Sequence, residues 1–252
     1  MTIPSIIYKY KQLSSTEDLV RLMNILNHNR IYLPTYNQLN DPLEGQIINI
    51  ETHGYAGCSM SLAADEEDQY IKAHKDAFRI LSLSEEWNNP QLWAHYAGGY
   101  KGVCLCFSTQ GVFGRINKIE YCKKREDEFT ETEGGIDRLI KKSFYKKAIG
   151  WSYEKEWRIV SKSTKEHLKF QERDLLGIII GHELKKDVCD FIMENTNRDL
   201  LWMKTVVGYR SFNIHAVRPN YKYDNNGVPI KTLDVEKALL AGKYVPVNRY
   251  HR

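Results

Sequence analysis

Apolar residues recur along the chain with two periods, and the expected elements follow from them. Between Ser14 and Asn29, Leu19, Leu22, Met23 and Leu26 fall at helical spacing. That stretch should form a helix with one buried stripe, opened by a capping box of Ser14 and Glu17. Further helices are expected over Asp65–Phe78, from Asn89-Pro90 to Tyr96 with Pro at its favoured first position, and over Gly135–Ile149, Lys185–Asn195 and Val235–Leu240. Short apolar runs predict strands over Ile6–Tyr10, Arg30–Pro34, Ile80–Ser84, Gly102–Phe107, Ile116–Tyr121, Glu156–Ser161 and Leu175–Gly181. The last is nearly all apolar and therefore expected to be central. Asn37–Pro42 reads as a polar turn, and the acidic stretch Arg125–Glu133 as a mobile loop.

Strands and helices mix without strict alternation, which favours an α+β fold over a doubly wound sheet. We expect a single domain over residues 1–218 and a polar, turn-rich C-terminal extension over 219–252 that packs on it. The sheet should be mixed, largely antiparallel and flanked by helices.

A chain of 252 residues buries enough surface to hold itself together without disulfides or metals. Its five cysteines (Cys58, Cys104, Cys106, Cys122 and Cys189) are scattered, with no C-x-x-C pair. No basic segment followed by an apolar run opens the chain, and no apolar stretch approaches the roughly 20 residues that cross a bilayer. These features point to a cytoplasmic protein with reduced thiols and no membrane partner. The net charge of +4 permits contact with nucleic acid without requiring it. Lys141, Lys142, Lys146 and Lys147 read as the solvated face of a helix.

Three blocks concentrate polar and aromatic residues. The first is Asn40-Asp41-Pro42-Leu43-Glu44, preceded by Tyr8-Lys9-Tyr10 on the first strand. It reads either as an Asx-turn alone or as a turn that also aims Glu44 into a cleft. The second, Leu92 to Gly102, holds His95 and Tyr96 as candidate catalytic groups, although a lone histidine is more often structural. Its glycines follow a helix instead of opening one, so they form no dinucleotide fingerprint. The third is Trp151-Ser152-Tyr153-Glu154-Lys155-Glu156-Trp157-Arg158. On a strand, Glu154, Glu156 and Arg158 share one face, either as a salt-bridge ladder or as a carboxylate held at a cleft mouth. All three blocks are expected to line one concave surface.

Several chemistries lack their spacing: there is no H-E-x-x-H, no paired Cys/His set, no G-x-S-x-G and no phosphate loop. Cys104 and Cys106 read as small core residues. Asp41, Glu44 and Glu156 form only a generic acidic set for a metal-dependent nuclease, which stays open as an alternative. So does a non-catalytic nucleotide-binding or sensor module.

The ordered segments Ile7–Tyr10, Leu39–Glu44, Leu92–Phe107 and Trp151–Arg158 resemble the bacterial family of domain of unknown function 2971. More distantly, Glu156 opening a late strand before the apolar strand Leu175–Gly181 is similar to ADP-ribosyltransferase toxins. The chain lacks an early His-Tyr pair and a Ser-Thr-Ser strand. This second likeness implies a split sheet, NAD as substrate without a metal, and a nucleic-acid or protein acceptor, as in a toxin or an anti-phage effector. It implies Glu156 as the catalytic carboxylate, aided by Tyr96 and His95. Tyr8, Lys9, Tyr10, Asn40, Asp41, Glu44, Trp93, Glu154 and Arg158 would bind NAD, with Lys9 or Arg158 facing its phosphates.

Overall fold

Side-chain alternation starts the fold at strand β1 (Ile6–Lys11), with Ile7 on one face and Ile6, Tyr8 and Tyr10 on the other. The computed structural model describes residues 2–45, 69–124, 135–208, 212–219, 222, 229 and 231–242. Helix α1 (Thr16–His28) buries Leu22, Ile25 and Leu26. Its cap lies one residue later than expected. Ser15 accepts from the Asp18 amide at 3.1 Å, and Asp18 accepts from the Ser14 amide at 3.1 Å. Glu17 instead pairs with Arg21 one turn on.

The short strand β2 (Arg30–Tyr32) follows, then helix α2 (69–76) and β3 (Phe78–Ser84). Phe78 thus opens a strand where it was expected to close a helix. Helix α3 (Pro90–Tyr96) is capped by Asn89, which accepts from the Gln91 amide at 2.9 Å. Strand β4 (Val103–Ser108) starts beyond Gly102, where a Cβ would sit 2.1 Å from the Lys11 carbonyl oxygen, so only glycine fits.

The expected strand Ile116–Tyr121 is two strands: β5 (Asn117–Lys118) in the main sheet and β6 (Glu120–Cys122) outside it. Helix α4 (Gly135–Ser143) ends well before Ile149. Its expected last turn is strand β7 (Lys146–Ala148), paired in parallel with β6. The remaining elements are β8 (Glu156–Lys162), β9 (His167–Lys169), β10 (Leu175–Ile180), α5 (Lys186–Glu194), β11 (Leu201–Val207), β12 (Ile214–Val217) and α6 (Val235–Leu240). The acidic loop and the first residues of the Asp65–Phe78 helix lie outside the described residues.

Eight strands form one open sheet in the order β12-β11-β10-β4-β1-β3-β8-β5. Only β10 and β11 pair in parallel; the rest are antiparallel, giving the α+β architecture with a largely antiparallel sheet in a single domain. As expected, β10 is interior, between β4 and β11. One face carries a continuous apolar core in which α1 and α5 pack on Ile7, Leu105, Ile178 and Trp202. The other face carries two separate clusters. Trp93 of α3 and Leu239 of α6 pack with Tyr8, Tyr10, Cys104 and Cys106, whereas Ile140 and Phe144 pack with Phe78, Ile80 and Val160. Among the described residues the two clusters stay separate, with a gap between them on this face.

Candidate functional site

Period-two alternation fills that gap with polar groups. On β3, Phe78 and Ile80 are followed on the same face by Ser82 and Ser84; on β8, Val160 is preceded by Arg158 and Glu156. The register aligns Ser82 with Arg158 and Ser84 with Glu156. Beside them β1 and β3 pair only at Tyr8 and Ser84, so the sheet opens there. Lys9 reaches across this opening to the Ser82 carbonyl at 2.8 Å. The resulting cleft, partly open to solvent, holds about 80 Å³, room for a small group and well below the roughly 300–1,000 Å³ of ligand pockets.

Three carboxylates and two cations meet in the cleft. Lys147 Nζ lies 2.6 Å from Glu154, 3.2 Å from Glu44 and 3.3 Å from Glu156. Arg158 holds both oxygens of Glu156 at 2.5 and 2.9 Å and reaches Glu44 at 2.7 Å. Its remaining nitrogen donates to the Phe144 carbonyl at 2.8 Å. Relative exposures are 1% for Arg158, 3% for Lys147, 4% for Glu154 and Glu156, and 6% for Glu44. Charges this deep persist only when paired, because each ion costs several kcal/mol to desolvate.

Local backbone positions these groups. Glu154 ends a 3₁₀ turn over Ile149–Glu154, and Lys155 then takes the left-handed conformation at φ 43° before β8 begins. That conformation costs roughly 1–2 kcal/mol in a side-chain-bearing residue, and here it lets Glu154 and Glu156 meet one lysine. Gly45, at φ 64°, turns the chain after Glu44, and a Cβ there would stand 2.4 Å from the Phe144 ring. Tyr96 donates to Glu154 and accepts from Asn40 at 2.7 Å, joining the first two blocks to the third.

The two central carboxyls are driven in opposite directions. Burial pushes Glu156 up, but Arg158 and Lys147 outweigh it and hold the carboxyl at about 2. Burial and the neighbouring Glu156 raise Glu154 above the ordinary carboxylate range, against Lys147 and Tyr96. Burial also lowers the Lys9 ammonium to about 8. Tyr96 is kept protonated by burial and by its bond to Glu154.

Tyr8, Lys9, Tyr10, Asn40, Glu44, Tyr96, Glu154, Glu156 and Arg158 therefore share one cleft. Asp41, Trp93 and His95 do not line it. Asp41 is buried in its own turn, accepting from the Leu43 amide at 3.0 Å. Trp93 is core, stacked on Tyr100 at 5.7 Å and donating to the Trp87 carbonyl at 2.7 Å. His95 is exposed beside Tyr153 and Tyr96. Arg158 spends four of its five N–H groups on Glu156, Glu44 and Phe144.

Lys147 is the functional residue missed from the sequence. Within a basic run it looked solvated, yet it is the cation common to all three glutamates, with the Trp151 ring centred 4.7 Å from its ammonium. It sits on β7 beside β6, where the sequence predicts a helix, and β6 takes Glu120 and Tyr121 out of the single strand expected over Ile116–Tyr121. Among the described residues, no group of three or more His, Cys, Asp or Glu side chains is arranged to hold a metal ion. Cys104 and Cys106 are buried free thiols.

The fold and site thus define an open-sheet α+β domain with a buried, cation-bridged carboxylate cleft. Residues 92–159, which span α3 to the middle of β8, match the family described as "Protein of unknown function (DUF2971)". No curated protein and no solved structure matches the chain significantly. Among the described residues no helix is long and apolar enough to cross a membrane.

Proposed function

We propose that this chain uses NAD to transfer ADP-ribose to a nucleic-acid or protein acceptor, in the setting of a toxin or an anti-phage effector. The observation that carries the reading is the meeting of Glu44, Glu154 and Glu156 with Lys147, Arg158 and Tyr96 around one opening. Stability alone does not call for such a cluster, since well-packed apolar residues commonly replace buried ion pairs at no loss. In the reaction, the nicotinamide–ribose bond breaks with its electron pair leaving on nicotinamide, and positive charge develops on the ribose. A fixed carboxylate beside that carbon stabilises the charge until the acceptor's nucleophile attacks.

Glu154 suits this role better than Glu156. Arg158 clamps both Glu156 oxygens, so Glu156 acts as a positioning residue. Glu154 is held by Tyr96 and Lys147 without an arginine fork, near the exposed Asn40. A second reading, a non-catalytic nucleotide-binding module, draws support from the cation that each of the three carboxylates already has. The metal-dependent nuclease draws least, because Asp41 is engaged in its own turn and Lys147 and Arg158 supply the positive charge among the glutamates.

NAD turnover with and without EDTA separates the three. The transferase consumes NAD regardless of chelator; a nuclease cleaves nucleic acid until EDTA stops it; a binding module does neither.

A further inference from the structure

A second hollow lies between the turn that follows β4 and the turn that links β9 to β10, and it shares no lining residue with the cleft. It holds about 510 Å³, partly open to solvent, within the range of small-ligand sites. Val112 and Arg115 stand on one wall, and Lys169, Phe170 and Arg173 on the other. Phe170 anchors its wall on Phe107 and Phe113, with ring centres 5.4 and 5.7 Å away. A Cβ on Gly111 would stand 2.3 Å from the Asp174 carboxylate, so only glycine lets the two walls meet there.

Its charge is the reverse of the cleft's. Arg115, Lys169 and Arg173 are all exposed, and none forms an ion pair among the described residues. The carboxylate on this lining, Asp174, is 2% exposed and accepts from the Gln171 amide at 2.9 Å. Arg30 stands directly opposite Lys169 across the β2–β9 pair, with the neutral Asn24 side chain as its acceptor at 2.8 Å. Like charges set opposite each other on paired strands destabilise the pair, and an anion beside them removes that cost. Walls carrying one sign of charge also concentrate counter-ions between them.

We infer that Arg115, Lys169 and Arg173 form a binding site for a small polyphosphate, free or carried by a nucleotide, separate from the carboxylate cleft. Several cations spaced around one hollow match several negative charges better than a single carboxylate would. The two arginines offer planar forks that fit phosphate oxygens, and Gln110 adds a neutral amide donor. Phe170 is only 7% exposed, which leaves little ring face for a base to stack on, so the phosphates carry recognition. The site stands apart from the NAD reading and does not depend on it.

The test is titration calorimetry on the full chain at fixed ionic strength, with inorganic tripolyphosphate, ATP and a single-stranded oligonucleotide as separate probes. Tripolyphosphate should bind. Comparable affinity for ATP assigns recognition to the phosphates alone, whereas ATP binding more than tenfold tighter names a nucleotide as their source. Arg115→Gln and Arg173→Gln should each weaken tripolyphosphate about tenfold, the scale of one charge-assisted hydrogen bond. Both side chains are exposed, so the melting temperature should stay unchanged. Lys185→Gln, an exposed lysine outside the hollow, removes the same charge and should leave binding intact. No binding of tripolyphosphate, undiminished binding in both arginine variants, or an equal loss in Lys185→Gln would overturn the site. So would binding of the oligonucleotide without tripolyphosphate, which would point to a nucleic-acid surface instead.

Discussion

Arg158 grips Glu156 from two positions along the same strand, with Nε 2.5 Å from one carboxylate oxygen and a terminal nitrogen 2.9 Å from the other. A paired fork of this kind is short, directional and, at 1% and 4% exposure, cut off from water. It is a structural clamp as much as part of a cleft.

Replacing Glu156 by Gln should therefore be felt first in stability. Arg158 would keep Glu44 but lose its bidentate partner in a buried setting, a change that costs about 3–5 kcal/mol. For a chain of this size the melting temperature should drop on the order of 10 °C. Calorimetry of wild type beside Glu156→Gln checks this; an unshifted transition contradicts the clamp.

Glu154→Gln should behave in the opposite way. Its partners are Tyr96 and Lys147, and Lys147 retains Glu44 and Glu156 when Glu154 is neutralised. NAD turnover should fall roughly two to three orders of magnitude, the scale for removing one electrostatic stabiliser. The melting temperature should move less than in Glu156→Gln. Full turnover in Glu154→Gln would return the working role to another carboxylate.

Lys9 should leave a mark on the pH dependence of stability. Its folded value, about 8, lies below its ordinary value of 10.5 because burial disfavours the charged form. Between those values the unfolded chain holds the proton that the folded chain has released, so this group's contribution rises with pH through the window. Below about 8 the folded ammonium is charged and carries its full penalty. Lys11 shifts in the same direction, and the buried thiols Cys104 and Cys106, which are raised, oppose both above their ordinary value of 9. The quantity to measure is thus the difference in unfolding free energy between wild type and Lys9→Met at pH 7 and pH 9. That gap should shift in favour of wild type as pH rises. A gap independent of pH would show that the amine is solvated.

Cys104 and Cys106 should be silent to thiol reagents in the folded protein. Both are fully buried, and burial raises their thiols well above the usual range, so little thiolate is available to react. Titration with a chromogenic disulfide should reach them only after denaturant is added. Rapid labelling of either in native buffer would mean that β4 opens far more readily than its interior place in the sheet implies.

Local signals in the sequence were enough for many of the regular elements, though not for β11 and β12, which no expected strand anticipated. Asn89-Pro90 caps α3, the apolar spacing of α1 faces the core, and the Ile6, Ile80 and Leu175 runs became strands because alternation and capping are decided within a few residues. The three polar blocks were legible for the same reason, and Glu154, Glu156 and Arg158 do share one side. What local pattern could not supply is who stands opposite. Trp93 belonged to a polar block in sequence, but Tyr10 and Tyr100 enclose it and make it core. Lys146 and Lys147 continued a basic helix in sequence. In space Lys147 meets carboxylates from Glu44 to Glu156, and that attraction is worth more than hydration only once β7, β8 and the Glu44 turn are assembled. Burial of a charge depends on partners more than a hundred residues away, so the sequence alone determined which groups were available. The tertiary structure decided which were paired, which were orphaned and which faced the cleft.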